Sequence, residues 1–315
     1  ALVRSLIADP LVDAVVAAPG NAGIQAVALC RWVDVLDPEQ VADLAQEIAA
    51  DLVVVGPEAP LVAGVADAVR DRGIACFGPS ASAAQLEGSK AFAKEIMASA
   101  CVPTAMARVC GTLEEVADAL DAFGAPHVVK DDGLAGGKGV VVTDQRQTAL
   151  DHAVRCLDKP GGCVVVEEYL DGPEVSLFCI TDGHTVVPLA PAQDFKRVAD
   201  GDLGPNTGGM GAYCPAPLGT PALRVQVTRE VLQPIVSAMS RMGSPFQGVL
   251  YAGIMVVKGV PYVLEFNARM GDPETQVVLP LLKSDLIDII EAVVEHRLDQ
   301  FTVEWHDDCA VCVVM

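Results

Sequence analysis

Lys130-Asp131-Asp132-Gly133-Leu134-Ala135-Gly136-Gly137-Lys138-Gly139 stands between two apolar runs, residues 128–130 and 139–143, that read as strands. A glycine loop of this kind is a device for covering phosphate. Glycines let backbone N–H groups approach phosphate oxygens, and Lys130 and Lys138 supply positive charge. The stretch is not a P-loop, because Gly133 is displaced by one position and Gly139 stands where Ser or Thr belongs. Nor is it a dinucleotide fingerprint, since no helix opens directly after it. A plain glycine-rich hairpin is the alternative; two lysines flanking the loop in a chain with 21 basic and 42 acidic residues favour function.

Outward from the loop, the N-terminal part alternates strand and helix signals. Apolar runs at 12–17 and 51–55 end at Pro19-Gly20 and Gly56-Pro57. Between them Asp37 caps a helix with Pro38 in its first position and Gln40 behind the cap, and Val41, Leu44, Ala45 and Ile48 form its apolar face. A second helix is expected over 61–72 and a strand over 74–77. This is an open parallel α/β unit, whose ligands bind beyond the carboxyl ends of the strands. Pro19-Gly20-Asn21-Ala22-Gly23 and Gly56-Pro57-Glu58-Ala59-Pro60 fall there, as candidate substrate loops or as ordinary turn chemistry.

Near Leu86 a second region begins. Glu87-Gly88-Ser89-Lys90 opens a helix to about residue 100, and Thr112 with Glu115 makes a capping box for a helix over 113–123. Strands follow at 128–130, 139–143, 164–168 and 175–181, with a helix at 148–157; residues 194–217 read as loop. A strand pair at 250–257 and 262–266 and a last helix at 284–295 complete the pattern.

Glu265-Phe266-Asn267-Ala268-Arg269 ends a strand, and a period of two puts Glu265, Asn267 and Arg269 on one face. A carboxylate beside an amide suits Mg²⁺, which takes oxygen ligands and shares its shell with substrate phosphates. Arg269 can stabilise a transferring phosphoryl group. A solvated strand face fits the same triplet. Glu167-Glu168-Tyr169-Leu170-Asp171-Gly172-Pro173-Glu174 leaves another apolar strand; its backbone suits an adenine edge and Glu174 suits ribose hydroxyls, while an acidic turn explains it equally well.

Composition sets the remaining bounds. With 315 residues, 51% of them apolar, the chain can bury the cores of two or three domains. No apolar run approaches the roughly 20 residues of a membrane span, and the first eight residues carry no signal-peptide pattern, so a cytoplasmic setting without a membrane partner is expected. A formal charge of -21 repels nucleic acid. The ten cysteines lie mostly in apolar runs and read as reduced; Cys309 and Cys312 form a lone CxxC to which no metal is assigned.

Taken in this order, these segments resemble the ATP-grasp superfamily and, within it, the phosphoribosylamine–glycine ligase (glycinamide ribonucleotide synthetase) family. The resemblance rests on the two N-terminal loops, Leu86-Glu87-Gly88-Ser89-Lys90, the lysine loop, Gly204-Pro205-Asn206-Thr207-Gly208-Gly209-Met210-Gly211-Ala212-Tyr213, and Glu265 through Gly271-Asp272-Pro273-Glu274-Thr275. It implies an N-terminal α/β substrate domain over 1–86 and an ATP-grasp domain, two subdomains clasping ATP, over 87–315, with a lid at about 108–170. An opening strand with its Gly-Gly-Arg-Glu-His turn and a C-terminal domain would complete the family pattern.

The implied reaction is ATP-dependent ligation of glycine to 5-phosphoribosylamine through glycyl phosphate, a purine-biosynthesis step. Another ATP-grasp carboxylate–amine ligase, or a non-catalytic nucleotide binder, is the alternative. Implied roles are ATP binding by Lys90, Lys130, Gly136, Gly137, Lys138, Gly139, Glu167, Glu168, Tyr169, Leu170 and Glu174, and Mg²⁺ or Mn²⁺ at Glu265 and Asn267. Asp194, Lys196 and Arg269 would surround glycine and the acyl phosphate. Asn21, Glu58, Gly208, Gly209 and Asp272 would bind substrate, in a monomer or weak homodimer. Asp131 departs from the small residue usual in the family, so its charge is expected to point away from the phosphates.

Overall fold

An antiparallel sheet in the order Val186–Pro188, Glu174–Asp182, Gln247–Val257, Val260–Asn267 is the spine of the chain in the computed structural model, which describes residues 1–135, 139–201 and 203–315. Its two long strands pair from Gln247 opposite Asp182 to Met255 opposite Glu174. Both faces are covered. Val175, Leu177, Cys179, Leu250, Ala252 and Ile254 enter one core, and Phe178, Ile180, Val249 and Tyr251 enter another. That is why these strands read as continuous apolar runs instead of alternating ones.

The first core is roofed by helices. Lys90–Ser99 lies there with a helical stretch of three consecutive pieces, Pro221–Val227, Thr228–Leu232 and Gln233–Arg241. The sequence reading has no helix in that last stretch. Pro234, which has no N–H to give to the preceding turn, stands in the first turn of Gln233–Arg241, directly after a π-turn at Thr228–Leu232. Leu286–Val294 covers the opposite face.

The stretch 108–170, expected as the lid, contains most of a separate antiparallel sheet, Ala107–Cys110, Val164–Glu167, His127–Asp131 and Val140–Thr143, in that order. Leu113–Phe123, with the Thr112/Glu115 capping box, and Arg146–Leu157 back it. Val116, Leu120, Val129, Ala149, Ala153, Val164 and Val166 give it a small core of its own.

N-terminally, the parallel α/β unit consists of two strand pairs, Val16–Ala17 with Leu29–Cys30 and Leu52–Val54 with Ala75–Phe77. Asp37 caps Pro38–Glu47 as expected, accepting from Glu39 N at 3.1 Å and Gln40 N at 3.2 Å. The fully buried positions of that helix are Ala42 and Ala45; Val41 and Leu44 are half-buried, because the facing helix Val65–Asp71 approaches closely enough to select small side chains. Three expectations are corrected. The helix over 61–72 is two helices, Glu58–Ala63 and Val65–Asp71, divided by Gly64 at φ 98°. Glu87-Gly88 closes a helix, Ala81–Gly88, and the next starts at Lys90 with Ser89 as its cap. Residues 194–217 hold short strands, among them Arg197–Ala199 paired with Leu203–Asn206, and Gly211–Cys214 paired with Ala310–Val313.

Leu61, Val65 and Val69 belong to the same core as the central sheet, so the N-terminal unit is seated on it. The seat includes a backbone contact: Gly248 has φ 118°, and a Cβ there would lie 3.3 Å from Gly78 Cα. Gly248→Ala is expected to lower unfolding free energy by about 1–3 kcal/mol through backbone strain. Urea denaturation reads it directly, and a variant as stable as wild type removes this contact from the account of the seat.

Candidate active site

Glu167, at the end of the strand Val164–Glu167, has only 3% of its side chain exposed and is held by two lysines. Lys94 Nζ lies 2.9 Å from Oε1, and Lys130 Nζ 2.9 Å from Oε2. The ammonium groups have further acceptors: Lys94 donates to Thr104 Oγ1 at 2.8 Å and Ala105 O at 2.9 Å, and Lys130 donates to Leu264 O at 3.0 Å. Thr104 in turn donates to Val263 O at 2.7 Å. The strands Val164–Glu167 and His127–Asp131, the Lys90–Ser99 helix and the strand Val260–Asn267 are thus joined around one buried carboxylate and its two lysines. Two cations on one anion leave the group net positive, which suits an incoming phosphate.

The neighbouring Asp131 faces the other way. Its carboxylate pairs with Lys159, and its N–H donates to Gly139 O at 2.7 Å. The base of the glycine loop is anchored as well: Lys90 Nζ donates to Gly133 O at 2.9 Å, and Asp132 accepts from Ser89 Oγ at 3.1 Å and Ala91 N at 3.0 Å. Burial pushes the Lys90 ammonium below its ordinary range, with Glu265 opposing. Gly136, Gly137 and Lys138 lie outside the described residues.

The strand Val260–Asn267 carries Glu265, Asn267 and the approach to Arg269. Phe266 and Ala268 turn into the core, so Glu265, Asn267 and Arg269 share the other face. Burial acts to raise the Glu265 carboxyl, but Lys196, Lys130, Lys90 and Arg269 outweigh it and hold the group below the usual carboxylate range. Lys196 Nζ is 3.8 Å from Glu265, 3.6 Å from Glu174 and 3.9 Å from Asp194. Asp194 responds in the opposite sense: burial pushes it up to about 6, with Lys196 pulling down.

With the amide of Asn267 assigned from its hydrogen bonds, its NH₂ donates to Glu87 Oε1 at 3.0 Å and to Phe266 O at 3.2 Å, which turns Oδ1 away from Glu87. Glu87 also accepts from Ala268 N at 2.6 Å and lies 3.3 Å from Arg269 Nη2; burial pushes its carboxyl up to about 7, with Arg269 pulling down. Arg269 Nε donates to Glu58 at 3.0 Å. One carboxylate and one amide oxygen fit a hard cation whose remaining ligands are phosphate oxygens and water. Among the described residues no group of three or more His, Cys, Asp or Glu is placed to hold a metal ion.

Two family models match this chain: "Phosphoribosylglycinamide synthetase, N domain" over residues 1–87 and "Phosphoribosylglycinamide synthetase, ATP-grasp (A) domain" over residues 88–275. The chain belongs to the phosphoribosylglycinamide synthetase family. A relative of that family, the phosphoribosylamine–glycine ligase of Streptomyces coelicolor, is 60% identical over 100% of this chain and 75% of its own length. The crystal structure of the Thermotoga maritima phosphoribosylamine–glycine ligase superposes with a TM-score of 0.83 at 29% identity, covering 99% of this chain and 75% of that one. N5-carboxyaminoimidazole ribonucleotide synthetase from Thermus thermophilus shares the fold, with a TM-score of 0.69 at 18% identity over 94% of this chain and 75% of that one. The fold is therefore ATP-grasp, with a parallel α/β unit before it.

Against the expectations for a phosphoribosylglycinamide synthetase, the structure brings Lys90, Lys130, Glu167, Glu174, Asp194, Lys196, Glu265, Asn267, Arg269 and Glu58 into one linked set of contacts and charges. Others are occupied locally. Asn21 Oδ1 caps the short helix Ala22–Gln25, accepting from Ile24 N at 2.9 Å. Glu168 accepts from Met106 N at 2.9 Å, Tyr169 is exposed and Leu170 half-buried. Asp272 accepts from Gln276 Nε2 at 2.7 Å, and a Cβ on Gly209 would meet Pro273 Cδ at 2.4 Å, so the Gly208-Gly209 turn sits against Asp272-Pro273. Sequence reasoning missed Lys94 and Glu87. Lys94 had a signal, since it stands four residues after Lys90 and so shares its helix face. Glu87 stood inside the 86–90 segment without a role of its own, because its partners are residues 267–269, far along the chain.

Lys94→Met leaves Glu167 with one lysine in a nearly dry setting and is expected to cost about 3 kcal/mol in urea unfolding, the lower end for a broken buried pair because Lys130 remains. A loss below that of a surface substitution would show that Lys94 is dispensable. For Asp194, a folded-state value raised from 3.8 to about 6 contributes stability present at acid pH and lost as pH rises through 6. Asp194→Asn should therefore gain on wild type between those two values and hold a constant lead above them, by at most about 3 kcal/mol. A difference that does not vary with pH contradicts this.

Proposed function

We infer that the chain joins glycine to 5-phosphoribosylamine with ATP as phosphoryl donor, through glycyl phosphate, and releases ADP and phosphate. The observation that supports this most is the convergence of Lys90, Lys130, Lys196 and Arg269 on Glu265 in a phosphoribosylglycinamide synthetase. A glycine carboxylate is a poor acyl donor until it is phosphorylated. Lys90 and Lys130, with Lys138 and the glycines 136, 137 and 139, hold the triphosphate for attack by a glycine carboxylate oxygen, and the backbone of 167–170 with Glu174 holds the adenosine. Glu265 and Asn267 take magnesium, or manganese, which neutralises phosphate charge when bound.

Asp194, Lys196 and Arg269 surround glycine and the acyl phosphate. The amine of phosphoribosylamine, bound near Asn21, Glu58, Gly208, Gly209 and Asp272, then attacks the acyl carbon and phosphate leaves. Asp194, with proton affinity close to neutrality, is suited to receive the proton that the amine loses. Holding both reactants in one cleft can supply roughly 7–11 kcal/mol of the barrier. Closure of the lid protects the anhydride from water. The reading includes a cytoplasmic setting and a monomer or weak homodimer.

Phosphate release measured with ATP, magnesium, glycine and freshly made phosphoribosylamine is expected to require all four. Release with another carboxylic acid and none with glycine would reject the assignment. Glu265→Gln is expected to lower metal-dependent turnover by about 100-fold or more while leaving the unfolding transition in place. Wild-type turnover in that variant would remove Glu265 from the metal site.

A further inference from the structure

An amide is a two-faced metal ligand. Its oxygen binds a cation and its NH₂ repels one, yet the two ends have nearly the same shape, so a half-turn of the Asn267 side chain would replace a ligand by a donor. The direction of that amide must therefore be fixed by something other than packing. Glu87 is placed to fix it. Its side chain is 8% exposed, and its two oxygens meet donors from three successive residues at the exit of the strand: Asn267 NH₂ at 3.0 Å, Ala268 N at 2.6 Å and Arg269 Nη2 at 3.3 Å. Arg269 is held from its other side by Glu58 at 3.0 Å. Glu87 also closes the helix Ala81–Gly88, three residues before Lys90.

We propose that Glu87 is the positioning residue of the metal site: by accepting from the Asn267 NH₂ it turns Oδ1 toward the cation, and through Arg269 it ties that orientation to Glu58 in the N-terminal unit. The proposal rests on the assignment of Glu265 and Asn267 as metal ligands. An ionised carboxylate suits the task because it offers only acceptors and all three of its neighbours are donors, whereas a glutamine in the same place would offer Asn267 a second acceptable orientation.

The test compares ADP binding by calorimetry, on the full chain, in the presence of magnesium and in the presence of a chelator; the ratio of the two affinities isolates the metal's share. In Glu87→Gln that ratio is expected to fall by about 10-fold or more, as for the loss of other groups that orient metal ligands, with chelator-side affinity unchanged. Exchanging the pair, Glu87→Gln together with Asn267→Asp, restores one donor facing one acceptor and is expected to recover most of the ratio. Should Glu87→Gln fail to fold, Glu87→Asp, shorter by one methylene with its charge kept, is expected to give an intermediate ratio, and a wild-type ratio there overturns the proposal. An unchanged ratio in Glu87→Gln, or an equal fall on both sides of the comparison, also overturns it. Glu265→Gln and Asn267→Ala separate the two levels: if they keep the metal's share, the metal-pair assignment fails, and if they abolish it while Glu87→Gln keeps it, only the positioning role fails.

Discussion

The buried contact of Glu167 with Lys94 and Lys130 is the constraint on which the arrangement of the site residues depends. An ionised carboxylate with 3% of its side chain exposed cannot persist without strong partners, and two ammonium groups at 2.9 Å supply them. Because the three residues come from the strand Val164–Glu167, the strand His127–Asp131 and the helix Lys90–Ser99, satisfying this one charge fixes the edge of the smaller antiparallel sheet against that helix. It also leaves an unbalanced positive charge in a region of low water content, where Coulomb interactions reach further than at the surface.

That local excess matters in a chain whose formal charge is -21. Most acidic side chains are spread over the exterior, while Lys90, Lys130, Lys196 and Arg269 all lie near Glu265. A polyanion is repelled by the surface at large, so its phosphates depend on individual ammonium and guanidinium groups placed within reach of them. The same four cations hold the Glu265 carboxyl below the usual carboxylate range, so a metal would meet a ligand already deprotonated.

Much of this was legible in the sequence because it is local. The Asp37 and Thr112 caps, the apolar runs of the long central strands and the glycine loop each carry their signal within a few residues, and Glu265, Asn267 and Arg269 could be placed on one face by period alone. Lys130 and Asp131 are adjacent, so their opposite orientations also follow from strand alternation. What stayed hidden depends on distance along the chain. Glu87 read as a helix start because Glu87-Gly88-Ser89-Lys90 looks like an opening, and only the fold shows it as an acceptor for residues 267–269. Glu167 read as an adenosine ligand, and the structure engages its carboxylate with Lys94 and Lys130. The break at Gly64 is local glycine chemistry that the apolar spacing across it concealed, whereas the helical stretch that contains Pro234 shows tertiary packing outweighing a local breaker.

The distribution of buried side chains also says how the molecule should come apart. Leu61 and Val65 share a hydrophobic cluster with Leu250 and Ile254, whereas Val116, Leu120 and Val166 form an island of their own. The matched family regions divide at residue 87, yet that boundary crosses a continuous interior. Melting cooperativity should consequently follow the islands: the first eighty-seven residues and the central sheet behave as a single thermodynamic block, and the covering sheet opens by sub-global fluctuation at a lower free energy than the block it shelters.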